Sequence, residues 1–277
     1  MKDTKVIVFD LDGTLYEDTH HFSYYAERLK SKLPTEAQLL FQQDYEDVLA
    51  GKHALKMGRV YDVHKDRILV HDEGHVLEGY TWDGERIEQE IIVQDYQEPL
   101  AFDFTTKLSI GDLWWIPVSI AAHYGITREV SYACFMQTRE HMMTPEFVLV
   151  ANTAFHHTLK SLTKNYKVVL MTNSPQSDSD VIIEKLGFTS YFEHKVYEAS
   201  KPIHTKKNLT EIANTFNVTP EEMLSIGDNY INEILPAKQL GCKTIYIDAH
   251  QLGEAKAADK TVKNLDELAK VLNDLLL

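Results

Sequence analysis

The sequence is poor in cysteine: among 277 residues only Cys134 and Cys242 occur, far apart and with no C-x-x-C pair. That scarcity excludes a zinc site built on thiolates and argues against a disulfide framework. Long apolar runs are missing too; no window approaches the ~18 apolar residues that a membrane span needs. The opening MKDTKVIVFDLDG holds an apolar stretch too short for the core of a secretion signal and broken by acids, so a cytoplasmic location is expected. Positive charge is in deficit, with 28 basic against 42 acidic side chains and a formal net charge of -14. A surface of that sign repels phosphate backbones and anionic lipid, which leaves neither nucleic acid nor a membrane as a natural partner. A small phosphorylated ligand stays compatible, because one bound cation and one lysine reverse the field locally.

What is present suits a folded α/β protein. An apolar share of 44% and a charged share of 25% suit a soluble globular chain, long enough for one large domain or a main domain with a smaller companion. Residues 5–9 form a nearly continuous β-branched apolar run, as a strand buried on both faces requires, and the run ends abruptly in two aspartates and a glycine. Carboxylates placed directly after a core strand are costly unless something uses them.

From about residue 150 a rhythm sets in. Helical spacing over 153–165, 176–186, 205–216, 232–240 and 265–276 alternates with short apolar strands at 167–171, 195–197, 223–226 and 244–247. Gly187 and Gly241 stand where helices end, and Thr219-Pro220-Glu221-Glu222 reads as a capping box. Such alternation implies right-handed βαβ units and a parallel, Rossmann-like sheet covered on both faces. Residues 17–149 differ. Helical spacing at 22–33, 39–49, 116–124 and before Met143 flanks a stretch, 60–93, of short alternating runs such as 67–70 and 90–93, with turn signals at Glu73-Gly74 and Asp83-Gly84. This section reads as an inserted domain of mixed helix and strand, and residues 1–16 with 150–277 as the core.

Hydrolysis of a phosphate monoester needs an in-line nucleophile, a cation for the phosphoryl charge, an acid for the leaving oxygen, and fixed donors. Asp10 and Asp12 stand two apart at the end of the first strand, at the sheet edge where ligands bind in open α/β folds. One can attack, forming an aspartyl-phosphate, and the other can serve as acid and then base. Thr14 offers a hydroxyl to phosphate. Later strand ends supply Thr172-Asn173-Ser174, then Lys201-Pro202, then Gly227-Asp228-Asn229. Asp228 would complete an oxygen-rich magnesium site with Asp10 and the Asp12 carbonyl, and Glu233 is placed to orient that site or to bind through water.

With these segments in view, FDLDGTLY at 9–16, TNS at 172–174, SKP at 200–202 and GDNYINE at 227–233 resemble, in order, the four motifs of the haloacid dehalogenase-like (HAD) hydrolase superfamily. The resemblance covers roughly 40% of the chain. It implies a Rossmann-like core, a cap inserted after the first motif, Mg2+, and an aspartyl-phosphate intermediate. It assigns Asp10 as nucleophile, Asp12 as acid/base, Thr172 and Lys201 as phosphate ligands, and Asp228 as a metal ligand. HAD-type dehalogenases lack the second aspartate, so Asp12 favours phosphoryl transfer. The resulting expectation is a magnesium-dependent phosphatase of a small phosphorylated metabolite. A sugar-phosphate phosphomutase, or a binding or regulatory protein that keeps the fold without turnover, stands as the alternative. The oligomeric state stays open. Trp114, Trp115, Tyr24 and Tyr25 read as core of the insertion ahead of an aromatic ligand wall, and the paired histidines His20-His21 and His156-His157 as ordinary polar groups ahead of metal ligands.

Overall fold

The structure, a computed structural model, describes residues 1, 3–103, 105–250 and 258–277. The chain divides into two compact units, one of Met1–Asp18 with Glu140–Leu277 and one of Thr19–Arg139. In the first unit the apolar opening run becomes strand β1, Val6–Phe9, buried along its whole length.

The second unit carries strands β2 (Val60–Asp62), β3 (Arg67–Asp72), β4 (His75–Tyr80) and β5 (Lys107–Ser109), paired antiparallel in the order β4-β3-β2-β5. Helices Thr35–Leu49 and Trp115–His123 help to form its core, where Phe41, Tyr61, Leu108 and Ile120 are buried together. Trp114 packs there edge-on against Phe22, Tyr25 and Phe135, with ring centroids 5.2, 5.4 and 5.1 Å apart. The expected turn at Glu73-Gly74 joins β3 to β4, and His71 Nδ1 accepts from the Gly74 amide at 3.2 Å.

One expectation fails in this unit. Residues 90–93 form no strand but part of the helix Gln89–Asp95. Three consecutive β-branched residues suggest a strand by propensity alone, yet only Ile92 is buried, while Ile91 and Val93 face solvent at 41% and 61% exposure. Such single-sided burial suits one helical turn laid on the sheet, and packing overrides propensity.

Returning to the first unit, the chain forms β6 (Lys167–Met171), β7 (His194–Val196), β8 (Met223–Gly227), β9 (Lys243–Ile247) and β10 (Lys260–Val262). With β1 they make one six-stranded sheet in the order β10-β9-β8-β1-β6-β7, every pairing parallel. The polar strand β10 carries no apolar signal in sequence. Helix 232–240 also differs from expectation: a π-helical turn over Tyr230–Ile234 precedes the α-helix Leu235–Leu240, and Asn229 caps it by accepting from the Asn232 amide. The capping box at Thr219 is present, closing a single 3-10 turn. No helix among the described residues is long and apolar enough to cross a membrane.

The sheet's centre decides where chemistry sits. Phe9 of β1 lies level with Leu170 of β6 on one side and Ile226 of β8 on the other. Asp10, Met171 and Gly227 therefore leave the sheet together at its carboxyl edge, and the loops after three adjacent strands open onto one place.

In the second unit, the entry to β5 is held by Asp103. Its carboxylate accepts from the Thr105, Thr106 and Lys107 amides and from the Thr106 hydroxyl. Partial burial works against the charge, but these donors outweigh it and hold the carboxyl down at about 2, from an ordinary 3.8. A group depressed in the folded state adds stability that is present above its unfolded value and lost as pH falls through the folded one. Asp103→Ala is therefore expected to lower the melting temperature at pH 7 by roughly 2–4 °C. In thermal melts the gap to the parent protein should close between pH 4 and pH 2; a gap independent of pH would contradict this account.

Candidate active site

At the edge defined by β1, β6 and β8, the buried Lys201 ammonium is the central group. Its Nζ lies 2.7 Å from Asp10 Oδ1 and 2.6 Å from Glu233 Oε1. Both the lysine and Glu233 side chains are 2% exposed. Lys201 comes from the loop after β7, and two contacts brace that loop. Asn173 donates its side-chain amide to the Lys201 carbonyl at 3.0 Å and accepts from the Lys201 amide at 2.7 Å. The Asn173 side chain thus fixes the backbone of the lysine.

Electrostatics follow from burial and pairing. Burial pulls a lysine down, but the Asp10 and Glu233 carboxylates outweigh it and hold Lys201 above its ordinary value. For the acids burial prevails. It pushes Glu233 up to about 8, with Lys201 opposing and Asp10 adding, and it raises Asp10, with Lys201 opposing and Asp12 adding. Two buried acids thus share one cation.

Glu233 reaches the lysine from the π-helical turn. Its second oxygen accepts from the Asn229 amide at 2.9 Å. The side chain folds back over Gly227, where a Cβ would lie 2.5 Å from Glu233 Cγ. Its carboxylate closes on Lys201.

Asp12 is half-buried, and hydroxyls bracket its carboxylate. Tyr16 donates to Oδ1, and Ser174 donates to Oδ2 at 2.9 Å. Tyr16 is not among the residues that spacing picks out, because a tyrosine four positions on in a loop carries no periodic signal. Thr172 is buried; its amide donates to Val196 in β7 and its hydroxyl accepts from the Ser174 amide at 3.1 Å. Thr14, also buried, directs its hydroxyl at Asp228 Oδ1 over 3.4 Å.

A magnesium site fits these donors. Asp228 packs against Gly13, so closely that a Cβ there would lie 2.2 Å from Asp228 Oδ2. Gly13 thereby lets a carboxylate settle against the loop that follows Asp10. Among the described residues no group of three or more His, Cys, Asp and Glu side chains forms a metal nest. Magnesium takes one or two carboxylates and keeps several waters. Asp10, Asp228 and the Asp12 carbonyl would hold it, all three being hard oxygen donors.

Gly13 also has φ +78°, a conformation L side chains rarely adopt. Gly13→Ala is expected to lower stability by roughly 1–3 kcal/mol, from strain and from displacement of Asp228. Urea unfolding measures it, and an unchanged midpoint would show that the loop has room to spare.

Comparison with known proteins meets the geometry at the level of family and fold. A family model for haloacid dehalogenase-like hydrolases matches residues 4–241. Glyceraldehyde 3-phosphate phosphatase from Pyrococcus furiosus is 31% identical over 98 residues, 32% of this chain and 40% of that protein, so the match spans under half of that relative. Two solved structures share the fold. One is magnesium-bound YfnB from Bacillus subtilis, with TM-score 0.55, 11% identity, and coverage of 98% of this chain and 99% of that one. The other is the haloacid dehalogenase-like family protein SP0104 from Streptococcus pneumoniae, with TM-score 0.55, 14% identity and the same coverage. Since the match runs from before β1 to beyond the last of the converging loops, the chain belongs to the haloacid dehalogenase-like hydrolase family.

Proposed function

We propose that this hydrolase is a magnesium-dependent phosphatase of a small phosphomonoester, working through an aspartyl-phosphate on Asp10. The observation that carries the reading is the buried Lys201 ammonium 2.7 Å from Asp10 Oδ1, with Asp12 two residues on. A carboxylate held beside a fixed cation at a sheet edge is suited to attack a phosphoryl group whose oxygens the same cation can bind. The phosphatase name of the Pyrococcus furiosus relative and the magnesium carried by YfnB support the same reading.

In this scheme an Asp10 oxygen bonds to phosphorus as the ester P–O bond breaks, and Asp12 gives its proton to the departing alcohol oxygen. Asp12, now a carboxylate, takes a proton from water as the water oxygen bonds to phosphorus. The bond from phosphorus to Asp10 then breaks, releasing phosphate and restoring both aspartates. Lys201 and Thr172 hold phosphoryl oxygens, Thr14 and Asn173 steady the surrounding loops, and Glu233 keeps the lysine charged and in place. Magnesium, when bound by Asp10, Asp228 and the Asp12 carbonyl, neutralises phosphoryl charge. The inserted unit enters the chain directly after the first motif, the position of a family cap. A reducing, cytoplasmic setting suits the two free, buried cysteines.

Release of phosphate from p-nitrophenyl phosphate, with and without magnesium, tests the reading, followed by a screen of phosphorylated metabolites. Asp10→Asn is expected to cut turnover by at least about a thousandfold with an unchanged circular dichroism spectrum, because the amide keeps the shape but cannot attack. Substantial activity in that variant would refute the role of Asp10. Isomerised sugar phosphate in place of free phosphate would select a mutase.

A further inference from the structure

Tyr16 is wholly buried, yet a phenol hydroxyl stays polar and requires a partner inside a protein. Its partner is Asp12 Oδ1. The backbone makes this possible: an isolated parallel bridge joins Asp12 to Tyr16, turning the chain back so that the fourth residue after the aspartate lies beside it. On the other side Ser174, 4% exposed and set in the loop after β6, donates to Asp12 Oδ2. Both oxygens of one carboxylate are thus fixed by hydroxyls from two different loops.

We propose that Tyr16, with Ser174 as its counterpart, is a positioning residue that holds the Asp12 carboxyl in the orientation from which it passes a proton to the departing oxygen. The inference rests on the phosphatase reading above and adds to it a residue that does not touch the substrate. Proton transfer in the transition state depends on heavy-atom distance and angle, so an acid free to rotate loses much of its effect. Fixing both oxygens removes that rotation. A phenol suits the task because its ring is locked by packing and it has a single hydroxyl to direct.

The chemistry supplies a readout that a purely structural role would not move. A p-nitrophenolate leaves readily without a proton, whereas an alkoxide leaves only when protonated. kcat/KM reports steps up to the departure of the leaving group, which are the steps where Asp12 acts as an acid. Tyr16→Phe removes only the hydroxyl. With magnesium present, kcat/KM for β-glycerol phosphate is expected to fall by roughly tenfold or more, and for p-nitrophenyl phosphate by about threefold at most. Ser174→Ala, which removes the hydroxyl donated to the other oxygen, should show the same bias. It serves as the test variant if Tyr16→Phe does not fold by circular dichroism.

Equal losses on the two substrates would make Tyr16 a packing residue and overturn the inference while leaving the phosphatase reading intact. No loss on either substrate would overturn it as well. If the unaltered protein releases phosphate from neither compound and from no phosphorylated metabolite in the screen, the phosphatase reading itself is wrong and this inference goes with it.

Discussion

Everything at the sheet edge depends on one buried ammonium. A lysine withdrawn from water is tolerable only when polar partners replace its hydration, and Lys201 has two carboxyl groups, those of Asp10 and Glu233, within hydrogen-bond distance. Removing either acid would leave a buried charge short of a partner, so the three groups stand or fall together. The neighbouring features serve this arrangement. Asn173 holds the lysine's backbone from both sides, the π-helical turn brings Glu233 inward, and the bare Gly227 gives the glutamate's stem somewhere to lie.

The parallel sheet turns that local arrangement into a catalytic one. A carboxylate after β1, hydroxyls from the loop after β6, a cation from the loop after β7 and acids from the loop after β8 come from positions up to 223 residues apart. Strand register brings the strand ends level, and the loops beyond them carry the side chains inward. The net charge of -14 creates no obstacle at this spot, since the local field is set by a buried lysine and by whatever cation the oxygen donors accept.

Much of this was legible in the sequence where a local pattern carried a cost. Val6 to Phe9 followed at once by Asp10 and Asp12 is expensive in a core strand unless the acids are used, and that expense pointed to the site. The alternation of apolar runs and helical spacing beyond residue 150 likewise fixed the class of fold, and the family comparison agrees with it. What stayed hidden depends on contacts between distant residues. Ile91, Ile92 and Val93 read as strand because propensity cannot know that only one of them finds a neighbour. Spacing along a loop does not show that the Glu233 carboxylate closes on a lysine 32 residues away in sequence. Tyr16 closes the first motif without any signal of its own, since its polar end matters only once the chain has folded back onto Asp12.

The nesting of Glu233 over Gly227 also constrains how this site can change. A side chain at position 227 would evict the glutamate's stem, so the glycine cannot be given up while Glu233 keeps its place. Descendants of this chain would have to move the glutamate, or recruit a different partner for the lysine, before giving up the glycine.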